Sequence, residues 1–166
     1  MAIDLDANRY KKLSPEDFDA LVTGELAHYA IWLEGVLVDI ISDFFAKPSR
    51  KKDFVRLMLH RDGLTFQQKI EIVRAMLPLF KNIAATKELK ALLTKTEAFK
   101  ADRNAFAHGL DVTPKSLKGT CIHVEIVTRS GKEKRVEVTA ESHTGTLEKA
   151  DALFNDLTSA AKRLND

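Results

Sequence analysis

The apolar residues of this chain recur mostly at helical spacing, beginning with a long first stretch. Between residues 15 and 45 they repeat every three to four positions, as expected for a helix that packs on a core. Ser14 is placed to cap this helix, and Asp17 stands three positions later, where a capping box has its second member. Because Pro48 disfavours helix in the residue before it, the helix is expected to end near Phe45.

The next two helices are predicted from a short amphipathic pattern and from a second start signal. Residues 50–61 have the pattern of a short amphipathic helix. Its expected inward side chains are Phe54, Leu57 and Met58. Thr65 and Gln68 have the spacing of a capping box, and they predict a helix that Pro78 should kink or end.

A third long helix is predicted over residues 86–108, and it carries a charge on its apolar stripe. The inward positions are Leu89, Leu92, Leu93, Thr96, Phe99, Arg103, Phe106 and Leu110. Arg103 is therefore expected to point toward an apolar seam or an interface. A charge there needs a partner, and Glu34, Asp39 or a phosphate can each provide one.

The last part of the chain changes to a β pattern and then returns to helix. Residues 120–129 and 132–141 are rich in Val, Ile and Thr, nearly alternate, and are separated by Ser130-Gly131, which predicts a β-hairpin. A last helix is expected over about residues 146–164. The predicted fold class is all-α: an antiparallel up-and-down bundle of about four main helices with the hairpin inserted before the last one, in a single domain of residues 1–166.

Composition and charge are those of an ordinary water-soluble globular protein. Hydrophobic residues make up 45% and charged residues 30% of the chain, and the net charge is +2, so any affinity for nucleic acid must come from a local patch. The single cysteine, Cys121, excludes an intramolecular disulfide and favours a reducing cytoplasm. The most apolar stretch, residues 27–45, contains three acidic side chains, so we expect a core helix and no membrane association.

Metal and cofactor sites are not expected from the sequence. Cys121, His123 and Glu125 alternate onto one face of a predicted strand, but three ligands from one strand lie too far apart to converge easily on an ion. No glycine-rich phosphate loop or dinucleotide fingerprint occurs. We therefore predict neither a metal nor a cofactor.

One run combines the residue types that phosphate chemistry requires. It extends from Arg103 to Gly109 and has the sequence Arg-Asn-Ala-Phe-Ala-His-Gly. Arginine donates two parallel charge-assisted hydrogen bonds to a phosphate and is charged at every physiological pH. His108 can exchange a proton near neutral pH, and Gly109 stands where helices commonly end. Basic residues near a helix C-terminus also stabilise the helix dipole, which is the ordinary structural role for such residues.

This run resembles the Arg-x4–6-His signature of HEPN domains, the higher-eukaryote and prokaryote nucleotide-binding fold. The segment from Leu64 to Ile70, Leu-Thr-Phe-Gln-Gln-Lys-Ile, also resembles bacterial HEPN-like proteins. The resemblance covers residues 14–110 and the last helix. It implies a small, often dimeric helical bundle. Many family members are metal-independent ribonucleases of toxin–antitoxin and phage-defence systems, and others have lost catalysis.

The resemblance implies catalytic roles for Arg103, Asn104 and His108. His108 would transfer a proton, Arg103 would neutralise charge on the attacked phosphate, and Asn104 would assist orientation. One chain has one such histidine, so acid and base would come from two copies of a homodimer. A catalytically silent HEPN-like dimer that binds RNA, a nucleotide or a protein such as a cognate antitoxin is the alternative. A transcriptional regulator is a third, but no helix-turn-helix pattern supports it.

Overall fold

The computed structural model describes residues 6–61, 63–116, 120–127 and 131–164, which are mostly helical with a small three-stranded antiparallel sheet before the last helix. In chain order the elements are α1 (Pro15–Phe45), α2 (Lys51–Phe54), α3 (Phe66–Met76), α4 (Ile83–His108), β1 (Leu110–Asp111), β2 (Cys121–Val127), β3 (Glu133–Thr139) and α5 (Ala140–Lys162). The chain divides into two compact units. The first comprises Met1–Tyr29 and Lys100–Asp151, and the second Ala30–Phe99 and Ala152–Asp166.

The start and end of α1 lie where the sequence predicts them. The Ser14 hydroxyl accepts a hydrogen bond from the Asp17 backbone N–H at 3.1 Å and donates one to the Asp17 carboxylate at 2.8 Å. Among the described residues, α1 is the one helix whose length and composition would allow it to cross a membrane. About 50% of its most apolar window is buried within the folded chain.

The boundaries of α3 are also confirmed. Thr65 and Gln68 form a complete capping box: the Thr65 hydroxyl accepts from the Gln68 N–H at 3.3 Å, and the Gln68 side chain accepts from the Thr65 N–H at 2.8 Å. The helix ends at Met76, and Pro78 lies in the 3₁₀ turn that follows. Local hydrogen bonding and the missing N–H of proline therefore suffice to define this helix.

The predicted inward face of residues 50–61 is wrong at Leu57 and Met58, whereas Phe54 is half-buried. After α2 the chain forms a π-helical turn, Val55–Leu59. Leu57 and Met58 are 55% and 57% exposed, and Leu59 is buried instead. A π turn places more residues in each turn than an α-helix does, so it rotates the following side chains away from the α-helical stripe.

The predicted stripe of α4 is buried only in its first part. Leu89, Leu92, Leu93, Thr96 and Phe99 are buried in the second unit, as expected. Arg103 and Phe106 are only half-buried. Leu110 is 64% exposed because it lies in β1 and not on the helix. The motif residues therefore lie at a partly open surface of the first unit.

The sheet lies in the first unit, in the order β1-β2-β3, with antiparallel pairing throughout. The predicted hairpin is β2 and β3, and β1 was not predicted. Helix α5 begins at Ala140 and not near residue 146, because Thr139 and Ser142 exchange capping bonds of 3.1 and 2.9 Å. Residues 140–145, which we expected to lie outside the helix, therefore form its first turns and include the buried His143.

Candidate functional site

Arg103 and Asn104 lie in the last turns of α4, and their side chains contact each other. The Arg103 guanidinium is half-buried, and its Nη1 donates a hydrogen bond to Asn104 Oδ1 at 2.9 Å. In the part of the chain that the structure describes, no ion pair involves Arg103. Its positive charge is thus positioned by a neutral amide and remains available to an anion.

The two acids that the sequence offered as partners of Arg103 both contact lysines in the second unit. Glu34 forms an ion pair with the buried Lys69. Asp39 pairs with Lys51 at 3.0 Å. Glu34 and Asp39 are thus already paired with lysines. Of the three partners considered from the sequence, this leaves a phosphate for Arg103.

His108 is the last residue of α4 and is exposed. Its ring forms no hydrogen bond to any residue in the ranges described. Five positions separate it from Arg103, which places the two side chains about 140° apart around the helix axis. Asn104 and His108, four apart, share a face. The imidazole and the guanidinium therefore leave the helix in different directions.

Gly109 is required at the end of α4 by a close approach and not by a left-handed backbone conformation. Its φ is not among the positive values, which occur in the described residues at Gly63 and Gly131. A Cβ added to Gly109 would lie 2.2 Å from Val124 Cγ1 and 2.8 Å from the Ala105 carbonyl oxygen. The glycine thus lets the end of α4 pack directly on β2 and fixes the position from which His108 projects.

A buried polar network in the first unit was not predicted. Glu25 is 7% exposed, and its Oε2 accepts a hydrogen bond from the Tyr10 hydroxyl at 2.9 Å. His143, 2% exposed, has its Nε2 2.7 Å from the same oxygen. Arg9 contacts the other carboxylate oxygen and the Tyr10 hydroxyl. The one available signal is that Glu25 lies on the apolar stripe of α1, between Val22 and Leu26.

The network stabilises the charged form of Glu25. Burial alone would raise the pKa of Glu25, but hydrogen bonds from His143 and Tyr10 and the charge of Arg9 outweigh it and lower this pKa. Because an ionised carboxylate only accepts hydrogen bonds, the proton in the His143 contact belongs to Nε2. Burial raises the pKa of Tyr10 to about 12.

A cleft of about 420 Å³ lies next to this network in the first unit. His143, Asp102, Phe106 and Lys134 are among the residues that line it. The cleft contacts the Ala101–Phe106 side of α4, whereas Arg103, Asn104 and His108 are not among its lining residues. The motif and the cleft are therefore separate features of the first unit.

A group of three possible metal ligands lies on the sheet. The ligand atoms of Cys121, His123 and Glu137 lie within 4.8 Å of one another. Glu125, which the sequence placed with Cys121 and His123, pairs with Arg135 at 3.4 Å instead. The third candidate ligand therefore lies on β3 and not on the strand that carries Cys121 and His123.

The chain was also compared with known proteins. Neither a family model, nor a curated protein, nor a solved structure matches it, so a functional assignment depends on the chemistry of the residues themselves.

Proposed function

We propose that this chain is an HEPN-like endoribonuclease that acts as a homodimer without a metal ion. Its fold would be the antiparallel helical bundle that the resemblance implies, and it would act in the cytoplasm of a bacterium in a toxin, stress or phage-defence role. The observation that carries the proposal is Arg103. Its guanidinium is oriented by Asn104 and is not paired with a carboxylate in the described ranges, although the chain contains 24 acidic residues. Such a group is suited to bind a phosphate.

In the proposed mechanism the 2′-hydroxyl of a ribose attacks the adjacent phosphorus. One His108 accepts the hydroxyl proton, and the His108 of the second copy donates a proton to the departing 5′-oxygen. The products are a 2′,3′-cyclic phosphate and a 5′-hydroxyl. Arg103 stabilises the charge on the non-bridging oxygens, and Asn104 acts by orienting Arg103.

We expect a homodimer, because the proposed mechanism needs two His108 imidazoles and one chain supplies one. We expect light scattering at micromolar concentration to give twice the chain mass of 18.6 kDa. Leu110, exposed beside the motif, is expected to lie in the interface, so Leu110→Lys should shift the protein toward monomer. Ile83→Lys, at the opposite end of α4 and 84% exposed, is the matched control and should remain dimeric. A monomeric wild-type protein would exclude the composite site.

Cleavage itself is tested with purified protein and single-stranded RNA in excess chelator. We expect cleavage to continue, because charge stabilisation comes from Arg103, and we expect the new ends to carry 2′,3′-cyclic phosphate. An all-deoxy strand of the same sequence should remain intact because it lacks the attacking hydroxyl. Cleavage that requires an added divalent ion, or that also occurs in the all-deoxy strand, would contradict the mechanism.

One observation favours the alternative, a catalytically silent HEPN-like dimer that binds RNA, a nucleotide or a partner such as a cognate antitoxin. His108 is exposed, and no described residue of its own chain forms a hydrogen bond that would orient its ring. In that case RNA should bind with an affinity that depends on Arg103 and should remain uncut. Measuring binding and cleavage on the same labelled RNA distinguishes the two functions.

A further inference from the structure

The group formed by Cys121, His123 and Glu137 lies on one face of the sheet, away from the buried face. Ile122, Val124 and Val138, which alternate with it along β2 and β3, are 1%, 3% and 5% exposed. Cys121 and His123 are half-buried, and Glu137 is exposed. The alternation of strand side chains thus leaves the three polar groups together where an ion can reach them.

The strand register brings His123 and Glu137 as close as a sheet allows. They are directly opposite each other in the β2–β3 ladder. The backbone N–H and carbonyl of His123 are directed to the other side, where they bond the Thr113 hydroxyl and the Val112 N–H at 2.8 Å each. The His123–Glu137 pair is therefore a non-hydrogen-bonded pair, the kind in which opposite side chains approach most closely.

One distance in the group matches the spacing of ligand atoms in a tetrahedral site. With zinc–sulfur and zinc–oxygen bonds of their usual lengths, neighbouring ligand atoms lie about 3.5–3.7 Å apart. Cys121 Sγ is 3.6 Å from Glu137 Oε1. The widest separation in the group is within 4.8 Å, so side-chain rotation can close it without moving the strands. Cys121 is a free thiol and is therefore available as a ligand.

We propose that Cys121, His123 and Glu137 bind a zinc-like divalent cation, with water as the fourth ligand. Thiolate, imidazole and carboxylate are the ligand types that zinc uses, and three protein ligands plus water is its usual open geometry. The negative charges of the Cys121 thiolate and the Glu137 carboxylate balance the charge of the ion. Glu125, on the same face, is directed to Arg135 and is not a ligand. This site is independent of the proposed ribonuclease function.

The test is a titration of the metal-free full chain with Co²⁺, followed by Zn²⁺. We expect one Co²⁺ per chain, a thiolate-to-cobalt charge-transfer band and the strong visible absorption of tetrahedral cobalt. Added Zn²⁺ should remove these bands by displacement, because zinc binds such sites more tightly than cobalt. The absence of a thiolate-to-cobalt band at saturating Co²⁺ would overturn the proposal.

Two variants test the ligands, and a third is their control. Cys121→Ser should abolish the charge-transfer band, and Glu137→Gln should weaken Co²⁺ binding at least about tenfold. Glu125→Gln is the matched control on the same face of the sheet and should bind Co²⁺ like the wild type. Circular dichroism checks that each variant is folded. Equal affinities of Glu137→Gln and Glu125→Gln, or a charge-transfer band that persists in Cys121→Ser, would overturn the site.

Discussion

Replacing Glu25 with alanine is expected to lower the free energy of unfolding by about 3–5 kcal/mol, the usual cost of removing one partner from a buried ionic network. The buried carboxylate accepts from Tyr10 and His143 and pairs with Arg9. Alanine would leave these donors without an acceptor and the Arg9 charge without a counter-charge, in a place that water reaches poorly.

Urea unfolding followed by circular dichroism measures this loss. Glu148→Ala, which removes an exposed glutamate from α5, is the matched control and should be indistinguishable from the wild type. Glu25→Gln retains one acceptor oxygen but no charge, so its stability should fall between those of Glu25→Ala and the wild type. Equal stability of Glu25→Ala and Glu148→Ala would show that the network contributes nothing to folding.

The same network predicts how stability depends on pH. The pKa of Glu25 is lower in the folded than in the unfolded chain. The stabilisation that Glu25 provides is therefore complete at pH values above its pKa in the unfolded chain. It is lost as the pH falls through the pKa of Glu25 in the folded chain. The wild type should lose more stability than Glu25→Ala over this acidic range. At the alkaline end, burial raises the pKa of Tyr10 to about 12. The stabilisation that Tyr10 provides is therefore complete below its ordinary pKa and is lost as the pH rises toward 12.

The network shows why local sequence patterns identified the helices but not the buried polar cluster. Helix starts at Ser14 and Thr65 depend on bonds between residues three apart, which the sequence displays directly. Tyr10 and His143 reach Glu25 from 15 and 118 positions away. No local pattern contains such contacts. The one local sign of the network is a glutamate on the apolar face of α1, which needs a partner when it is buried.

The candidate ligands on the sheet illustrate a second limit. The alternation of Cys121, His123 and Glu125 along one strand correctly predicted a shared face, but it could not identify the residue opposite. The register of β2 against β3 decides that Glu137 faces His123 and that Arg135 faces Glu125. A shift of one residue would have placed a valine opposite His123. Register depends on the turn and on packing of the buried face, which no pattern within one strand encodes.

For the run from Arg103 to Gly109, the sequence predicted the helix but not the side-chain contacts. Residues 86–108 were expected to be helical, and α4 ends at His108. The contact between Arg103 and Asn104, which are adjacent in sequence, depends on side-chain rotamers that spacing does not specify. In the proposed mechanism, the group that Asn104 orients is therefore Arg103.

Arg103→Ala and His108→Ala should each lower the rate of RNA cleavage by roughly two to four orders of magnitude, the range for losing an anion stabiliser or a general acid–base. Single-turnover cleavage of labelled RNA in excess chelator measures these rates. Arg103→Lys should not restore the wild-type rate, because an ammonium group cannot reproduce the two-pronged phosphate contact. Lys95→Ala removes an exposed positive charge from the same helix and is the matched control, with a rate near that of the wild type.

Two further measurements separate the proposed roles. If Asn104 acts through Arg103, Asn104→Ala should slow cleavage in the wild type and have no further effect in Arg103→Ala, since residues that act as a unit are not additive. Because one imidazole must begin neutral and the other charged, the wild-type rate should show a bell-shaped dependence on pH. Undiminished cleavage by a folded, dimeric His108→Ala protein would exclude imidazole catalysis. Additive losses from Asn104 and Arg103 would mean instead that the amide contacts the RNA directly, since an orienting contact has no effect once the group it orients is gone.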